Sequence, residues 1–484
     1  MKKKLLAIVA FVMICFVPLC AQETSVQDVY HYVLDNGLEL FIAENDAVPL
    51  SYIEIAVKGG GISQTEDTVG LFHLYEHMIF KGNSKYPDAA SVQKAITDMG
   101  VPNWNGTTGN EHINFFFTVP SDLTYDGLEF WSYAVREPLL DETEFEKEKD
   151  VVIAELQGRY ADPGMQLNSA VYKYAFPETP WQFDPGGDIE NIQKATLDSL
   201  IDMKETYYVP NNTALFVGGD VDHKEVLKMV EDIYGDWEKA DDPWANRDYI
   251  IKNENLAEPI YLVQANPQVS PEMAQVQLMF RGPDSANDIE STYSADVFMN
   301  LASNPTSNFV QSIVTRPELG IPTSDYVASM FATTKHGTFV NFIGVMLSPS
   351  QSIVPRALFF DDLIKNQIAN VVVNDENFFP QEQYTSGLQR IKDSKIVQTE
   401  TAESILSALR ASWVSADSNY YFDYQENLEN VDAKDVSQFF NDYIMGKNSI
   451  VLIVVNPQIY EMQKQDFDAA GFTLITPENA FWWN

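Results

Sequence analysis

Two 25-residue stretches of this chain follow one plan. "TLDSLIDMKETYYVPNNTALFVGGD" spans 196–220, and "DAKDVSQFFNDYIMGKNSIVLIVVN" spans 432–456. Each has an acidic helix start, an aromatic near the helix end, an Asn-containing turn and an apolar strand. A plan repeated at that separation predicts two similar α+β domains rather than one large one. The elements between agree. "VYHYVLDNGLELFIAEN" reads as two strands joined by a tight turn at Asn36-Gly37, a strong hairpin signal. Helical spacing follows over 70–81, 88–100, 123–136 and 141–160, with a strand in "NEHINFFFTVP". After a polar stretch at 241–258, strands and helices recur to the C-terminus. The expected division is a signal peptide over 1–21, a first domain over 22–240, a linker over 241–258 and a second domain over 259–484. The expected fold class is α+β, each domain a largely antiparallel sheet covered by helices.

Composition narrows the function. The chain has 484 residues, 70 acidic and 31 basic, for a formal charge of −39. Such a surface repels nucleic acid and anionic membranes. "MKKK" followed by "LLAIVAFVMICFV" and "LCAQ" has the form of an export signal cleaved after Ala21. The apolar run is too short for an ordinary membrane span, so the mature chain is expected to have none. Cys20 raises a lipoprotein alternative, which bulky Leu19 fits poorly. Cys15 and Cys20 are the only cysteines. A mature chain without them has neither disulfides nor thiolate ligands.

"GLFHLYEHMIFKGNSKYP", residues 70–87, carries the chemistry. His73 and His77 are four apart, so a helix puts both imidazoles on one face. They can share one metal ion, with Glu76 offset towards a water: the inverted pattern H-x-x-E-H. The alternative is an exposed His-Glu-His face without metal. A third ligand would have to be His, Asp or Glu. Glu148 and Glu155 share a helical face in "EFEKEKDVVIAEL", and Glu155 stands in an apolar context. Alone, Glu155 could equally be an ordinary helix-face glutamate.

Taken together, "HLYEH" and "EKEKDVVIAEL" resemble the insulinase/pitrilysin family of zinc metallopeptidases, including its bacterial processing-peptidase-like members. "LDNGLELFIAENDAVP", "NWNGTTGNEHINFFF" and "YYVPNNTALFVGGDVD" extend the resemblance over most of 28–240. Over 259–484 it rests on element order. The resemblance implies one Zn2+ per chain held by His73, His77 and Glu155. It makes Glu76 the general base that takes a proton from zinc-bound water, and Glu148 an outer partner orienting His77. Asn105 and Gly106 match an Asn-Ala pair that holds the substrate backbone, and "HINFFF" would be the edge strand that pairs with an extended peptide.

The family also uses an Arg and a Tyr, usually seven apart, from the opposite half of the molecule. In "TRPELGIPTSDYVASM", Arg316 and Gly320 fit, but position 323 is Thr and Tyr326 comes three residues late. Arg316 and Tyr326 either fill those catalytic roles or are a surface arginine and a strand residue. The other histidines, His31, His112, His223 and His336, lack metal-type spacing. The C-terminal "AFWWN" is either core packing or a contact surface.

The resemblance implies half of a peptidase chamber, closed by a second chain in a homodimer or a heterodimer with a related subunit. The expected activity is zinc-dependent hydrolysis of short or unfolded peptides, in the periplasm or outside the cell. A noncatalytic or partner-dependent subunit of the same family is the alternative.

Overall fold

A computed structural model describes residues 24–26, 29–177, 179–245 and 254–483. The expected export signal and residues 246–253 of the expected linker lie outside the described residues. Seven strands form a first sheet: β1 (Thr24–Val26), β2 (Val29–Val33), β3 (Glu39–Glu44), β4 (Leu50–Lys58), β5 (Trp104–Thr108), β6 (His112–Pro120) and β7 (Thr213–Gly219). Their spatial order is β1-β2-β3-β7-β4-β6-β5. Six form a second sheet: β8 (Ile260–Ala265), β9 (Met273–Gly282), β10 (Val327–Met330), β11 (Thr338–Leu347), β12 (Ile450–Val455) and β13 (Thr473–Leu474), in the order β10-β11-β9-β12-β8-β13. Among the described residues, only β3–β7, β8–β12 and β8–β13 pair in parallel. The fold is two-domain α+β. The run β3-β7-β4-β6-β5 has the same order and directions as β8-β12-β9-β11-β10, so the sequence repeat is a structural one. The Asn36-Gly37 turn joins β2 to β3, with Gly37 at φ 87°, a conformation open to glycine.

One expectation is corrected. "HINFFF" is not an edge strand: it lies in β6, paired to β4 on one side and to β5 on the other. Its Phe115 and Phe117 are buried in the core. An apolar strand of that kind at an open edge would invite aggregation. The edge is the short polar strand β5, "WNGTT".

β7 and β12 are buried almost throughout, because each sheet is covered on both faces. Four helices matter here: α1 (Leu71–Ile79), α2 (Glu142–Tyr160), α3 (Pro163–Ala175) and α4 (Ala402–Ser415). Helices α1 and α2 pack with the core on one face of the first sheet. The other face receives α4 from the second half of the chain, through Leu406, Leu409 and Trp413 against Phe41 and Phe216. Burial of such a side chain contributes about 1.5–3 kcal/mol. Gly218 in β7 allows the approach: a Cβ there would meet the Leu406 and Ala402 side chains at 2.8 and 2.9 Å. Reciprocally, Ala170 and Val171 of α3 pack on Leu262, Ile450, Leu452 and Val454 of the second sheet.

A polar seam locks α4 in place. Arg410 Nε lies 2.7 Å from Oε1 of Glu54, which is fully buried in β4. Glu54 also accepts from Tyr52 Oη at 2.9 Å and Asn114 Nδ2 at 2.5 Å. Arg410 Nη1 donates to His112 Nε2 at 2.7 Å, and Trp413 Nε1 to Glu39 Oε1 at 2.7 Å. His112 is therefore a structural acceptor. Burial, then Arg410, lowers it to about 3. The unfolded chain binds this proton near the usual 6.5 and the folded chain does not, so stability rises with pH between about 3 and 6.5. We expect His112 to withdraw about 2 kcal/mol of stability on going from pH 7 to pH 5. Urea unfolding of His112→Gln, which keeps an acceptor for Arg410, should show that much less acid sensitivity. An unchanged pH dependence would contradict the assignment.

Candidate metal centre

The helix expected over 70–81 is α1, which runs from Leu71 to Ile79 and ends before Gly82, whose φ of 140° breaks it. It starts at Gly70, with φ 93° and no side-chain cap. A Cβ on Gly70 would lie 2.7 Å from the Cα of Gly187. This close approach of two glycines brings the 184–188 loop against the helix start, where His73 Nδ1 meets Gly186 O at 3.0 Å. A proton on Nδ1 satisfies that carbonyl and leaves Nε2 as a lone-pair donor. His77 has the matching arrangement, with Nδ1 3.2 Å from Glu148 Oε2. Lys81 Nζ holds the other oxygen of Glu148 at 2.6 Å.

Helix α2 supplies both glutamates. Asp141 caps it by accepting from Glu144 N at 3.0 Å, and Glu142 and Glu144 in the first turn suit its positive end. The seven-residue spacing sets Glu148 and Glu155 on the α1 side. Glu155 Oε1 is 3.7 Å from His73 Nε2, and Oε2 is 3.6 Å from His77 Nε2. The two imidazoles are near perpendicular, their centroids 4.8 Å apart. One ligand atom from each of His73, His77 and Glu155 lies within 4.8 Å of the others. Donors around a tetrahedral zinc at ~2.0–2.1 Å stand about 3.3 Å apart, so a small inward adjustment would close the set. The donors fit zinc chemically: two oriented imidazole nitrogens and one carboxylate. The apolar neighbours of Glu155 did not bury it. Val152 and Leu156 take the core face, and the Glu155 side chain is 41% exposed, which leaves the cluster open to solvent.

Glu76 belongs to α1 but faces β5, where Thr108 Oγ1 donates to its Oε2 at 2.6 Å. Gly106 lies against it: a Cβ there would be 3.0 Å from Glu76 Cγ and 2.9 Å from Phe115 Cδ1. Asn105 is exposed on the same edge strand. Burial raises Glu76, and the Thr108 bond only partly opposes this. Burial, then His77, lowers His73 to about 4, which keeps it neutral at ordinary pH. Burial alone would raise Glu148, but the bonds from His77 and Lys81 outweigh it and hold the carboxyl low.

Arg316 and Tyr326 are not brought to this cluster. Arg316 is exposed ahead of a short turn at Pro317–Leu319. Tyr326 packs on the second core just before β10, the counterpart of β5. Among the described residues, neither makes a hydrogen bond or ion pair with the cluster. Sequence reasoning missed Thr108, Lys81 and Gly186. The glycine pair in "DPGGD" is the signal that could have pointed to this loop. The remaining histidines have other partners: His31 pairs with Glu39 at 2.9 Å, His223 with Tyr32 Oη at 2.6 Å and His336 with Glu111 at 3.3 Å.

The insulinase (peptidase family M16) model matches residues 40–182, and the model of the M16 inactive domain matches 194–371. The chain belongs to the insulinase family, M16. Subunit 1 of the human mitochondrial cytochrome b-c1 complex is 26% identical over 43% of this chain and 44% of its own length. The uncharacterized zinc protease YmfH of Bacillus subtilis is 25% identical over 48% of this chain and 55% of its own. The chain thus covers under two thirds of either relative. The first half of the periplasmic protease PqqL of Escherichia coli shares the fold, with a TM-score of 0.72 at 17% identity over 95% of this chain and 96% of that one. Against whole PqqL the match covers 50% of that protein. The relatives it matches thus include both a protein named as a zinc protease and a subunit of the cytochrome b-c1 complex.

Proposed function

We propose that the chain is a zinc-dependent endopeptidase acting on short or unfolded peptides. The observation that carries this is the convergence of His73, His77 and Glu155, with Glu76 held beside them by Thr108. Zinc bound by these three residues would supply Lewis-acid chemistry, acidifying a water and polarising a carbonyl. Gly186 O and Glu148 orient the two imidazoles by accepting hydrogen bonds from their Nδ1–H groups. The open edge of β5 adds an extended peptide as a further strand. Asn105 is exposed to bond the peptide backbone, and Gly106 leaves room beside Glu76. The Glu76 carboxylate takes a proton from the attacking water and delivers it to the leaving nitrogen.

Arg316 and Tyr326 stand outside their own chain's cluster, which favours a role in a partner's site. On this reading, a second copy or a related subunit closes the chamber, and the isolated chain is partner-dependent. The match to half of PqqL supports that arrangement. Among the described residues no helix is long and apolar enough to cross a membrane. The N-terminal pattern supports export to the periplasm or beyond.

The test is incubation of the chain with a pool of unstructured peptides, read by mass spectrometry. We expect cuts that a chelator abolishes and added zinc restores. Cuts indifferent to chelation would refute the metal role. An intact pool with zinc present would favour the noncatalytic subunit.

A further inference from the structure

Arg159, in the last turn of α2, stands between two residues of the metal cluster. Its Nη1 lies 3.8 Å from Glu155 Oε1, the oxygen that faces His73. Its Nη2 lies 3.2 and 3.5 Å from the two oxygens of Asp184. Asp184 Oδ1 also accepts from Gly186 N at 2.6 Å, and Gly186 O is the carbonyl that meets His73 Nδ1. One guanidinium therefore ties the carboxylate on α2 to the loop that orients the histidine on α1.

The loop is shaped around this contact. A Cβ on Gly186 would collide with Arg159 Nη1 and lie 2.9 Å from its Cζ, so the guanidinium fits only over a residue without a side chain. The Asp184 side chain is 9% exposed. A carboxylate so buried needs a partner, and among the described residues Arg159 is the cation paired with it. The Glu155 contact, at 3.8 Å, is an ion pair without a hydrogen bond. Between two exposed side chains on one helix such a pair holds little in place. Here the Asp184 anchor fixes the guanidinium, and the fixed charge limits where Glu155 Oε1 can turn. The loop has other ties: Tyr160 Oη donates to Gly187 O at 3.1 Å, and Gly187 packs on Gly70. Loss of Arg159 would thus loosen the Gly186 carbonyl without unfolding the loop.

We propose that Arg159 is a positioning residue of the metal centre. Held by Asp184, it sets the Glu155 carboxylate and, through the Gly186 carbonyl, keeps His73 in its Nδ1–H tautomer with Nε2 open. The consequence for catalysis rests on the zinc reading above, but the tie itself is tested without metal. The His73 tautomer is read near neutral pH on the metal-free chain by long-range 1H–15N correlation of the ring nitrogens, its signals assigned by their loss in His73→Asn. Zinc affinity is measured beside it by chelator competition, and folded stability by urea unfolding. The key variant is Arg159→Lys, which keeps the charge and loses the planar fork. We expect His73 to be Nδ1-protonated in the parent and a mixture of tautomers in the variant. Zinc affinity should fall about 10–100-fold, with the urea midpoint near the parent's. An unchanged tautomer in Arg159→Lys would overturn the proposal, and so would parent-like zinc affinity. An affinity loss matched by an equal loss of folded stability would make Arg159 merely structural and overturn it too. If the parent binds no zinc, a shifted tautomer upholds the tie and fails the metal reading instead.

Discussion

His77→Ala is expected to lower zinc affinity by well over a hundredfold. The substitution removes one of three donors, and Glu155 and His73 alone cannot complete a tetrahedral site. It also strands Glu148, which is 5% exposed and loses its bond from His77 Nδ1 while keeping Lys81. Glu148→Gln is the informative companion. It leaves every donor in place and weakens only the orientation of His77, so the expected loss is about 10–100-fold. Competition against a zinc chelator measures both. Parent-like affinity in His77→Ala would remove the histidine from the site. A Glu148→Gln loss as large as that of His77→Ala would make Glu148 a ligand rather than an orienting group.

Arg410→Met is expected to destabilise the fold by about 3–5 kcal/mol. Glu54 is fully buried, and Arg410 is the cation that faces it, at 2.7 Å. Removing the guanidinium leaves a charge in the sheet with only Tyr52 and Asn114 to bond it. The same change removes one tie between α4 and the first sheet and strips His112 of its donor. Adding Glu54→Gln removes the stranded charge and should recover a large part of the loss. Urea unfolding followed by tryptophan fluorescence checks this, with separate transitions expected if the halves uncouple. Parent-like stability in Arg410→Met would show that the seam is incidental.

Local periodicity and turn chemistry are what a single sequence displays, and they carried much of the fold. The Asn36-Gly37 hairpin, the helix holding both histidines and the paired helix–strand repeats all depend on neighbours within a few residues. The i, i+4 spacing alone put His73 and His77 on one face. Glu155 was a different matter, because its apolar context gave no sign that it points outward, and only the resemblance singled it out. Strand neighbours are set by the sheet, so nothing within "HINFFF" itself shows that β5 covers its outer side. Groups that meet across long separations left no trace. Gly186 is 113 residues from His73, and Arg410 is 298 from His112. Thr108 reaches Glu76 from another element altogether.

The central claim is that Glu76 acts as the base beside a zinc held by His73, His77 and Glu155. The most direct measurement is peptide hydrolysis by Glu76→Gln at full zinc occupancy, beside the parent chain. General-base catalysis of this kind contributes about 10²–10⁴-fold, so the account predicts a loss of that size with zinc binding unchanged. Parent-like hydrolysis by zinc-loaded Glu76→Gln would contradict it.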